Sequence, residues 1–329
     1  MAARLNSCFV FLFVCVCLVS WSARAWGAKL YVVYASIGGT QAIGWIAKEA
    51  GLFTKNGLDV DLLFTGGGRA ITSLLGGDTP IVTVGGPSAI AARLAGSDVI
   101  ITAHVFDTIL YSLMVTPEIR TLSDLKGKRL GASRFGSATD FALRYVLKQN
   151  GFDPVKDVVI FQIGGQSETL AALRAGSIQG GVIASPATAE AKRLGMKELI
   201  NMANLGVEYP QTTIVTTGRF LRSNRETVLR FTRAYVEGIQ RFLNDREFSL
   251  NVIGKYTKIQ SRAALDATYD DYAPYVKKIP VPAVGSIKTV LEQLSASDPK
   301  AKTARPQDFI DTSIVSELEQ EGFFKQVWR

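Results

Sequence analysis

The sequence predicts an α/β fold in which mostly parallel strands are covered by helices and divided between two lobes. From residue 29 onward, short β-rich runs alternate with amphipathic helical patterns, and most junctions carry glycine. Such alternation is typical of parallel sheets with helices on their faces. The alternation occurs once before residue 118 and again after it, so we expect a separate sheet in each lobe.

The first lobe is predicted to begin with three strand-to-helix units. Their strands are KLYVVYAS, LDVDLLFT and IVTVGG, at residues 29–36, 58–65 and 81–86. The helices that follow open near Gln41, at Arg69 and near Pro87, a residue suited to a first helical turn. VIITAHVF (99–106) and YSLMVT (111–116) come next with little between them, which indicates two consecutive strands.

The second lobe is predicted over residues 118–208. LGASRFGSATDFALRY (130–145) reads as a strand turning into a helix, and DVVIFQIGG (157–165) leads into a second helix. GGVIAS (180–185) leads into a third helix beginning near Pro186. These units repeat the strand-to-helix pattern of the first lobe.

QTTIVTTGRFL (211–221) predicts a strand that returns to the first lobe, which then comprises residues 26–117 and 209–329. The remainder is mainly helical, with two apolar stripes that we interpret as core-packing faces: Val228, Phe231, Tyr235, Ile239 and Phe242, then Ile287, Val290, Leu291 and Leu294. The chain is expected to cross between lobes near 116–122 and near 206–212. Paired crossovers can act as a hinge that closes over a ligand.

Residues 1–25 have the pattern of a cleavable export signal. Arg4 precedes an apolar core at residues 8–21, and a small-x-small motif ends at Ala25, where we predict cleavage. The alternative is an uncleaved anchor, which needs about 20 apolar residues. All three cysteines, Cys8, Cys15 and Cys17, lie in this segment, so the mature chain would have no disulfide and no cysteine metal site.

The charge of the mature chain hints weakly at anionic ligands. Two of the 37 basic residues lie in the signal, which leaves 35 basic against 29 acidic residues and a net charge of +6. The sequence contains no run of lysine and arginine that would indicate nucleic-acid binding. We expect a monomer with no nucleic-acid partner.

Six strand-to-helix turns carry the candidate ligand-binding residues. In open α/β sheets, ligands gather beyond the carboxyl ends of strands, where helix N-termini present unpaired N–H groups. The same residue types also cap helices, so each single turn has a purely structural interpretation. The candidates are Ser36, Gly38, Gly39, Thr40, Gln41, Gly67, Arg69, Gly86, Ser88, Arg134, Phe135, Gly136, Ser137, Thr139, Gln166 and Ser185.

Two candidates are charged. Arg69 and Arg134 each follow a predicted strand, and a guanidinium can hold a carboxylate, sulfonate or phosphate with paired hydrogen bonds. The alternative is a surface arginine packed along its stem. A nucleotide phosphate loop is not expected, because Ser137 follows Gly136 where such a loop needs lysine.

Catalytic and cofactor signals are weak. His104 is the only histidine and lies in an apolar run, which favours a core or cleft-edge position. Asp270 and Asp271 are adjacent on a predicted helix, so their side chains point in different directions. We therefore do not expect them to act as an acid and base pair on one substrate. We expect no cofactor and no metal. Four aromatic residues could form a flat apolar wall in the cleft or belong to the core: Trp45, Phe106, Phe135 and Tyr209.

Several segments together resemble the solute-binding proteins of ABC importers, in the branch that handles nitrate, sulfonates, taurine and thiamine pyrimidine precursors. These are IGGTQAIGWIAKEAGLFTKNGLDVDLLF, LSDLKGKRLGASRFGSATDFALRYVLKQNG, ETLAALRAGSIQGGVI and YAPYVKKIPVPAVGSIKTVLEQL. The resemblance implies a type II periplasmic binding protein fold, and a periplasmic protein that delivers a small solute to a permease and ATPase complex in the inner membrane.

By the same resemblance, the solute is held by the loop Ser36 to Gln41 and by the helix start Gly136 to Thr139. The loops Gly85 to Ser88 and Ser185 to Pro186 would take other cleft positions, although many relatives carry an acidic residue in the first of these. Two alternatives stay open. One is an enzyme resembling the pyrimidine synthase of thiamine biosynthesis, and the other is a periplasmic sensor subunit.

Overall fold

The structure, a computed structural model, describes residues 29–66 and 68–329. The predicted export signal with its cysteines, and the candidate residue Gly67, lie outside these residues. Two five-stranded sheets with helices packed on them make up the described part of the chain. Within that part, no helix is both long enough and apolar enough to cross a lipid bilayer.

The strands follow the strand-like runs of the sequence. In chain order they are β1 (Leu30–Tyr34), β2 (Val60–Phe64), β3 (Ile81–Val84), β4 (Val99–Thr108), β5 (Ser112–Val115), β6 (Arg129–Ala132), β7 (Val159–Gln162), β8 (Gly180–Ile183), β9 (Lys197–Asn201) and β10 (Glu208–Thr217). The sequence did not predict β9. The last residues of the predicted strand 211–221 are helical instead, because Thr217 Oγ1 accepts a hydrogen bond from Phe220 N–H and caps a new helix.

The helices follow the amphipathic patterns. They are α1 (Ala42–Glu49), α2 (Leu52–Lys55), α3 (Gly68–Gly76), α4 (Gly86–Leu94), α5 (Ala138–Gln149), α6 (Gln166–Arg174), α7 (Ala187–Arg193), α8 (Gly218–Ser223), α9 (Arg225–Asn244), α10 (Arg246–Thr257), α11 (Arg262–Tyr272), α12 (Val284–Leu294), α13 (Pro299–Thr303), α14 (Ser313–Gln320) and α15 (Phe323–Val327). Pro87 lies in the first turn of α4, as predicted.

The two sheets have equivalent topologies. The first has the order β2-β1-β3-β10-β4, with β1 parallel to β2 and β3, and β10 antiparallel to β3 and β4. The second has the order β7-β6-β8-β5-β9, with β6 parallel to β7 and β8, and β5 antiparallel to β8 and β9. Each lobe therefore combines parallel strand-to-helix units with one inserted antiparallel strand.

The crossing points differ in part from the sequence prediction. The limit at residue 117 assigns β5 to the first lobe, but β5 pairs with β8 and β9 of the second sheet. The first crossing is therefore the three-residue segment 109–111 and not 116–122. The return crossing, 202–207, overlaps the predicted segment 206–212 only at its end. Both β4 and β5 are buried apolar strands, so their sequences do not show that the chain changes sheet between them.

The apolar stripes predicted in the C-terminal half lie in the core. All five stripe residues of α9 are buried, and α9 packs across α1 against the first sheet. In α12, Ile287, Val290 and Leu291 are buried and Leu294 is half-buried. Burying a large apolar side chain stabilises the fold by about 1.5–3 kcal/mol. The long C-terminal part of the chain thus serves as the outer layer of the first lobe.

His104 is fully buried in β4, in agreement with the core or cleft-edge position expected for it. Its Nδ1 lies 2.8 Å from Asp107 Oδ1, and Lys277 Nζ lies 2.5 Å from the other oxygen of the same carboxylate. Lys277 N–H also donates to the carbonyl of Val105. This cluster therefore fastens the segment after α11 to β4.

Replacing Asp107 with asparagine is expected to lower the free energy of unfolding by roughly 1–3 kcal/mol at pH 7, because two charge-assisted contacts are lost. Burial raises the pKa of the Asp107 carboxyl, but the bonds to His104 and Lys277 lower it more, so it lies below its usual value. Stability from a carboxyl of lowered pKa is present above the unfolded pKa of about 3.9 and is lost as the pH falls through the folded pKa.

Urea unfolding between pH 3 and pH 7 measures this effect. The gap between wild type and Asp107→Asn should close as the pH falls below about 4. Asp78→Asn, at an exposed turn position, is the matched control and should show no gap. A gap that stays constant over this pH range would contradict an ionic role for Asp107.

Candidate functional site

A cavity of about 340 Å³ lies between the two lobes, where strands end and helices begin. Its walls come from the turns before α1, α3 and α4 in the first lobe, and from the turns before α5 and α6 in the second. Its volume falls at the small end of the range for small-molecule sites. Because parallel strands end at a common edge, these turns converge on one space.

Nine of the sixteen candidate residues line this cavity, and they come from turns that are far apart in the sequence. From the first lobe these are Ser36, Thr40, Gln41, Arg69 and Ser88, and from the second lobe they are Arg134, Ser137, Thr139 and Gln166.

The first-lobe wall is held in place by buried hydrogen bonds. Gln41 is buried, and its Oε1 accepts from the Thr83 hydroxyl at 2.7 Å. The carbonyl of Thr40 accepts from the Thr212 hydroxyl at 3.1 Å. With Oε1 engaged, Gln41 has its two amide hydrogens available for other acceptors. The IGGTQ turn therefore presents a fixed polar surface to the cavity.

The second-lobe wall has a cluster of three hydroxyl groups at the start of α5. Ser133 Oγ lies 2.9 Å from Ser137 Oγ and 2.8 Å from Thr139 Oγ1, and the two latter oxygens are 3.1 Å apart. Ser137 is also the N-cap of this helix, since its hydroxyl accepts from Asp140 N–H. Ser137 thus both caps α5 and lines the cavity.

Gln166, at the first position of α6, reaches from the second lobe toward the first. Its Oε1 accepts from the N–H of Ala184 at 2.8 Å, which fixes the orientation of the amide. A Cβ added to Gly38 in the first lobe would lie only 2.8 Å from Gln166 Nε2. The absence of a side chain at Gly38 therefore lets the Gln166 amide cross the cleft.

Three charged side chains line the cavity, namely Arg69, Arg134 and Glu168, all in exposed residues. The local charge is therefore positive, and the partial positive ends of α3, α4, α5 and α6 add to it. Such a setting stabilises an anionic group, and the hydroxyl and amide groups around it can bind further polar atoms.

The lobes touch each other around the cavity. Gly39 N–H donates to the carbonyl of Ser185 at 3.2 Å, and the Tyr272 hydroxyl donates to the same carbonyl at 2.8 Å. Ser88 Oγ lies 3.5 Å from the carbonyl of Gly136. In this structure the cleft is therefore closed.

Six other candidates lie next to the cavity without lining it, namely Gly38, Gly39, Gly86, Phe135, Gly136 and Ser185. A Cβ on Gly39 would meet Tyr272, and a Cβ on Gly86 would meet Pro210, so these glycines permit close packing. Ser185 contacts the first lobe through its carbonyl, which accepts from Gly39 N–H and from the Tyr272 hydroxyl. Gly136 has a φ of 75°, which favours glycine, and its N–H already donates to Asp140.

Of the two positions considered for the four aromatic residues, cleft wall or core, the cleft wall is not observed, since none of them lines the cavity. Trp45 is 1% exposed and stacks on Tyr256, with ring centroids 4.9 Å apart. Phe106 and Tyr209 are likewise buried in the cores. Phe135 is 54% exposed and lies outside the cavity beneath the Arg144 guanidinium. Three of the four rings therefore pack in the core. The cavity lining does contain a different phenylalanine, Phe64.

The polar cavity residues that the sequence did not single out include Tyr111, Glu168 and Gln211. Tyr111 lies in the first crossing segment, Gln211 lies in β10, and Glu168 lies in the first turn of α6. Burial raises the pKa of Tyr111 to about 12, and the nearby Gln211 amide opposes this rise. A glutamine among threonines in PQTTIVTT was the available signal, and it becomes meaningful only once β10 is known to border the cleft.

The chain matches one family model and one curated protein. The family model described as "NMT1/THI5 like" matches residues 41–247. A protein of Bacillus subtilis strain 168, named "Putative binding protein YtlA", is 27% identical over 202 residues. That match spans 60% of this chain and 60% of the length of the Bacillus protein.

Solved structures with high similarity share the fold. A protein from Bordetella bronchiseptica RB50 has a TM-score of 0.80 at 18% identity, covering 90% of this chain and 98% of the other. The alkanesulfonate-binding protein SsuA from Xanthomonas axonopodis pv. citri, bound to MOPS, has a TM-score of 0.73 at 18% identity, with coverage of 88% and 99%.

The periplasmic nitrate-binding protein NrtA from Synechocystis PCC 6803 has a TM-score of 0.75 at 13% identity, covering 89% of this chain and 88% of the other. These similarities confirm the predicted periplasmic binding protein fold, with two α/β lobes around a cleft. At such low identity, they establish the fold alone.

Proposed function

This chain belongs to the NMT1/THI5-like family, and from that premise we propose that it is the extracytoplasmic solute-binding component of an ABC-type importer. It captures a small anionic or polar organic solute between its lobes and delivers it to a membrane permease. The observation that carries this proposal is the closed cavity into which both lobes direct hydroxyl, amide and guanidinium groups. The names of the structural neighbours, which are sulfonate- and nitrate-binding proteins, support it.

We also propose that the two lobes move as rigid bodies about a hinge. The first lobe includes residues up to Thr108 and from Glu208 onward, and the second lobe includes β5 through β9. The crossing segments 109–111 and 202–207 form the hinge. Export by the signal at residues 1–25, a periplasmic location and a monomeric state belong to the same proposal.

The contents of the cavity favour binding over catalysis. The titratable side chains that line it are Arg69, Arg134, Glu168 and Tyr111. The burial of Tyr111 holds its pKa near 12, so its phenol stays protonated at neutral pH. His104 lies in a separate buried cluster with Asp107. We therefore propose that the protein is not an enzyme, and a turnover assay with iron and a pyrimidine precursor would test the alternative.

A panel of solutes tests the proposed function. Titration calorimetry of residues 26–329 against nitrate, methanesulfonate, benzenesulfonate, benzoate, terephthalate and cytosine is expected to show binding of at least one anion. Native mass spectrometry of the purified protein should show a retained small molecule if binding is tight. X-ray scattering should show compaction with the bound solute, because a hinge closes around it. Absence of heat, retained mass and compaction would overturn the proposal.

A further inference from the structure

Gln211 occupies an unusual position at the floor of the cavity. It lies near the start of β10, where the pairing with β4 shifts register between Glu208 and Thr212. Such irregularities redirect side chains from the plane of a sheet. Gln211 is 2% exposed and lines the cavity. It is therefore a buried polar residue that faces the space for a solute.

The orientation of the Gln211 amide is determined by a single contact. Its Oε1 accepts from the N–H of Leu110 at 3.1 Å, and only the oxygen of the amide can accept. Nε2, with two hydrogens, must then point away from Leu110. Among the described residues, this buried nitrogen has no hydrogen-bond partner. A buried donor without an acceptor is costly, so such groups normally have a partner.

Tyr111 is the neighbour whose hydroxyl lies beside the Gln211 amide. Burial raises the pKa of the Tyr111 phenol and contact with the Gln211 amide lowers it, yet Nε2 is left without a hydrogen-bond partner among the described residues. Tyr111 is 9% exposed and lines the same cavity. Gln211 itself lines the cavity, so a solute bound there lies beside an amide whose donor is unpaired.

We propose that Gln211 is a solute-binding residue that donates a hydrogen bond from Nε2 to an acceptor oxygen or nitrogen at the inner end of the solute. Tyr111 borders the same subsite with its hydroxyl group. This inference rests on the proposed function and deepens it, because it specifies part of the solute. The solute carries an acceptor at the end that reaches the floor, while Arg69 and Arg134, in exposed residues, meet an anionic group at the entrance.

The position of Gln211 also connects solute binding to the hinge. Its amide joins Leu110 of the first crossing segment to β10, which follows the second. A solute that bonds to Nε2 therefore contacts a side chain that joins the first crossing to the strand after the second. Binding at this point stabilises the closed arrangement of both crossings at once.

The substitution Gln211→Glu tests the proposal sharply. One carboxylate oxygen can still accept from Leu110 N–H, while the other replaces the donor Nε2 by an acceptor. Gln211→Met removes the donor without adding charge. Gln179→Glu and Gln179→Met are matched controls. Like Gln211, Gln179 accepts from a backbone N–H through its Oε1, but its Nε2 donates to the carbonyl of Gly176 and it lies outside the cavity lining.

Calorimetry at pH 8 with the tightest-binding member of the solute panel gives the readout. Both Gln211 variants are expected to lose about tenfold to hundredfold in affinity. Gln211→Glu places a carboxylate at a buried position, so its melting temperature should fall as well, and affinity is compared at a temperature where each variant is folded. Both Gln179 variants should bind within about twofold of wild type. Equal affinity of the Gln211 variants, or tighter binding by Gln211→Glu, would overturn the inference and leave the proposed function standing.

Two further outcomes are decisive. If wild type binds no member of the panel, the proposed function fails and this inference fails with it. If the Gln211 variants do not fold, the wild type is labelled with ¹⁵N-glutamine and its side-chain amide signals are assigned. The signal of Gln211 should then shift on addition of the solute while that of Gln179 stays in place, and an unshifted Gln211 signal would reject the proposal.

Discussion

Replacing Gly85 with valine is expected to hold the lobes apart and to weaken solute binding by about a hundredfold or more. Gly85 lies in the turn before α4 of the first lobe, and a Cβ added there would lie 2.6 Å from the Cβ of Ala138 at the start of α5 in the second lobe. Neither atom can move independently of its backbone. Closure would then stop early, and several hydrogen bonds of about 1 kcal/mol each would be lost.

The backbone at Gly85 does not itself need glycine. Its φ of −65° and ψ of 134° are open to any residue, and it forms no side-chain cap for α4. The first lobe should therefore fold normally with valine at this position. The substitution thus separates closure of the cleft from stability of the lobes.

Calorimetry and X-ray scattering check this prediction together. Wild type should compact on addition of solute, whereas Gly85→Val should keep the dimensions of the solute-free protein. Gly68→Val is the control, because a Cβ at Gly68 would meet no atom within 4 Å. Combining the milder Gly85→Ala with Ala138→Gly removes the clashing atom, and recovery of affinity is expected. If Gly85→Val compacts on addition of solute as wild type does, the added side chain does not hold the lobes apart and the prediction is wrong.

Residues 130–145 show why the local elements were predictable. The short strand-like run LGA (130–132) and the amphipathic pattern after Ser137 depend only on neighbours in the chain, and the structure has β6 and α5 there. Ser137 caps α5 as its residue type predicts. The same local signals placed the turns around Thr40 and Gln166 at the edge of a cleft, and these residues do line the cavity.

The missed features depend on contacts between distant segments. β5 is an apolar strand like β4, and only its pairing with β8 and β9 shows that it belongs to the second sheet. Tyr111 and Gln211 are about a hundred residues apart in the sequence, and they line the same cavity because the first crossing lies next to β10. The sequence left Trp45 open to a cleft or a core position, of which the core is the commoner for a buried aromatic residue, and its stacking on Tyr256 of α10 places it in the core.

Removing both guanidinium groups from the cavity is expected to weaken binding of an anionic solute by a factor of roughly 100 to 1,000. Each hydrogen bond to a charged group is worth about 1.5–3 kcal/mol, and Arg69 and Arg134 are the cationic side chains that line the cavity. Because both belong to exposed residues, solvent screening places each single variant near the lower end of that range. Calorimetry of Arg69→Ala, Arg134→Ala and the double variant measures these losses.

The salt dependence of binding distinguishes a direct ionic contact from a structural effect. Screening weakens attraction between exposed charges, so the affinity of wild type should fall as salt rises from about 0.01 M to 1 M, and the double variant should respond less. Arg134→Lys keeps the charge but loses the paired geometry, and should recover only part of the affinity. Arg305→Ala is the control, since its partner Asp308 lies outside the cavity. If the double variant binds anions as tightly as wild type, the solute must be held by the hydroxyl and amide groups of the two walls, with the charge of the cleft serving only to attract it.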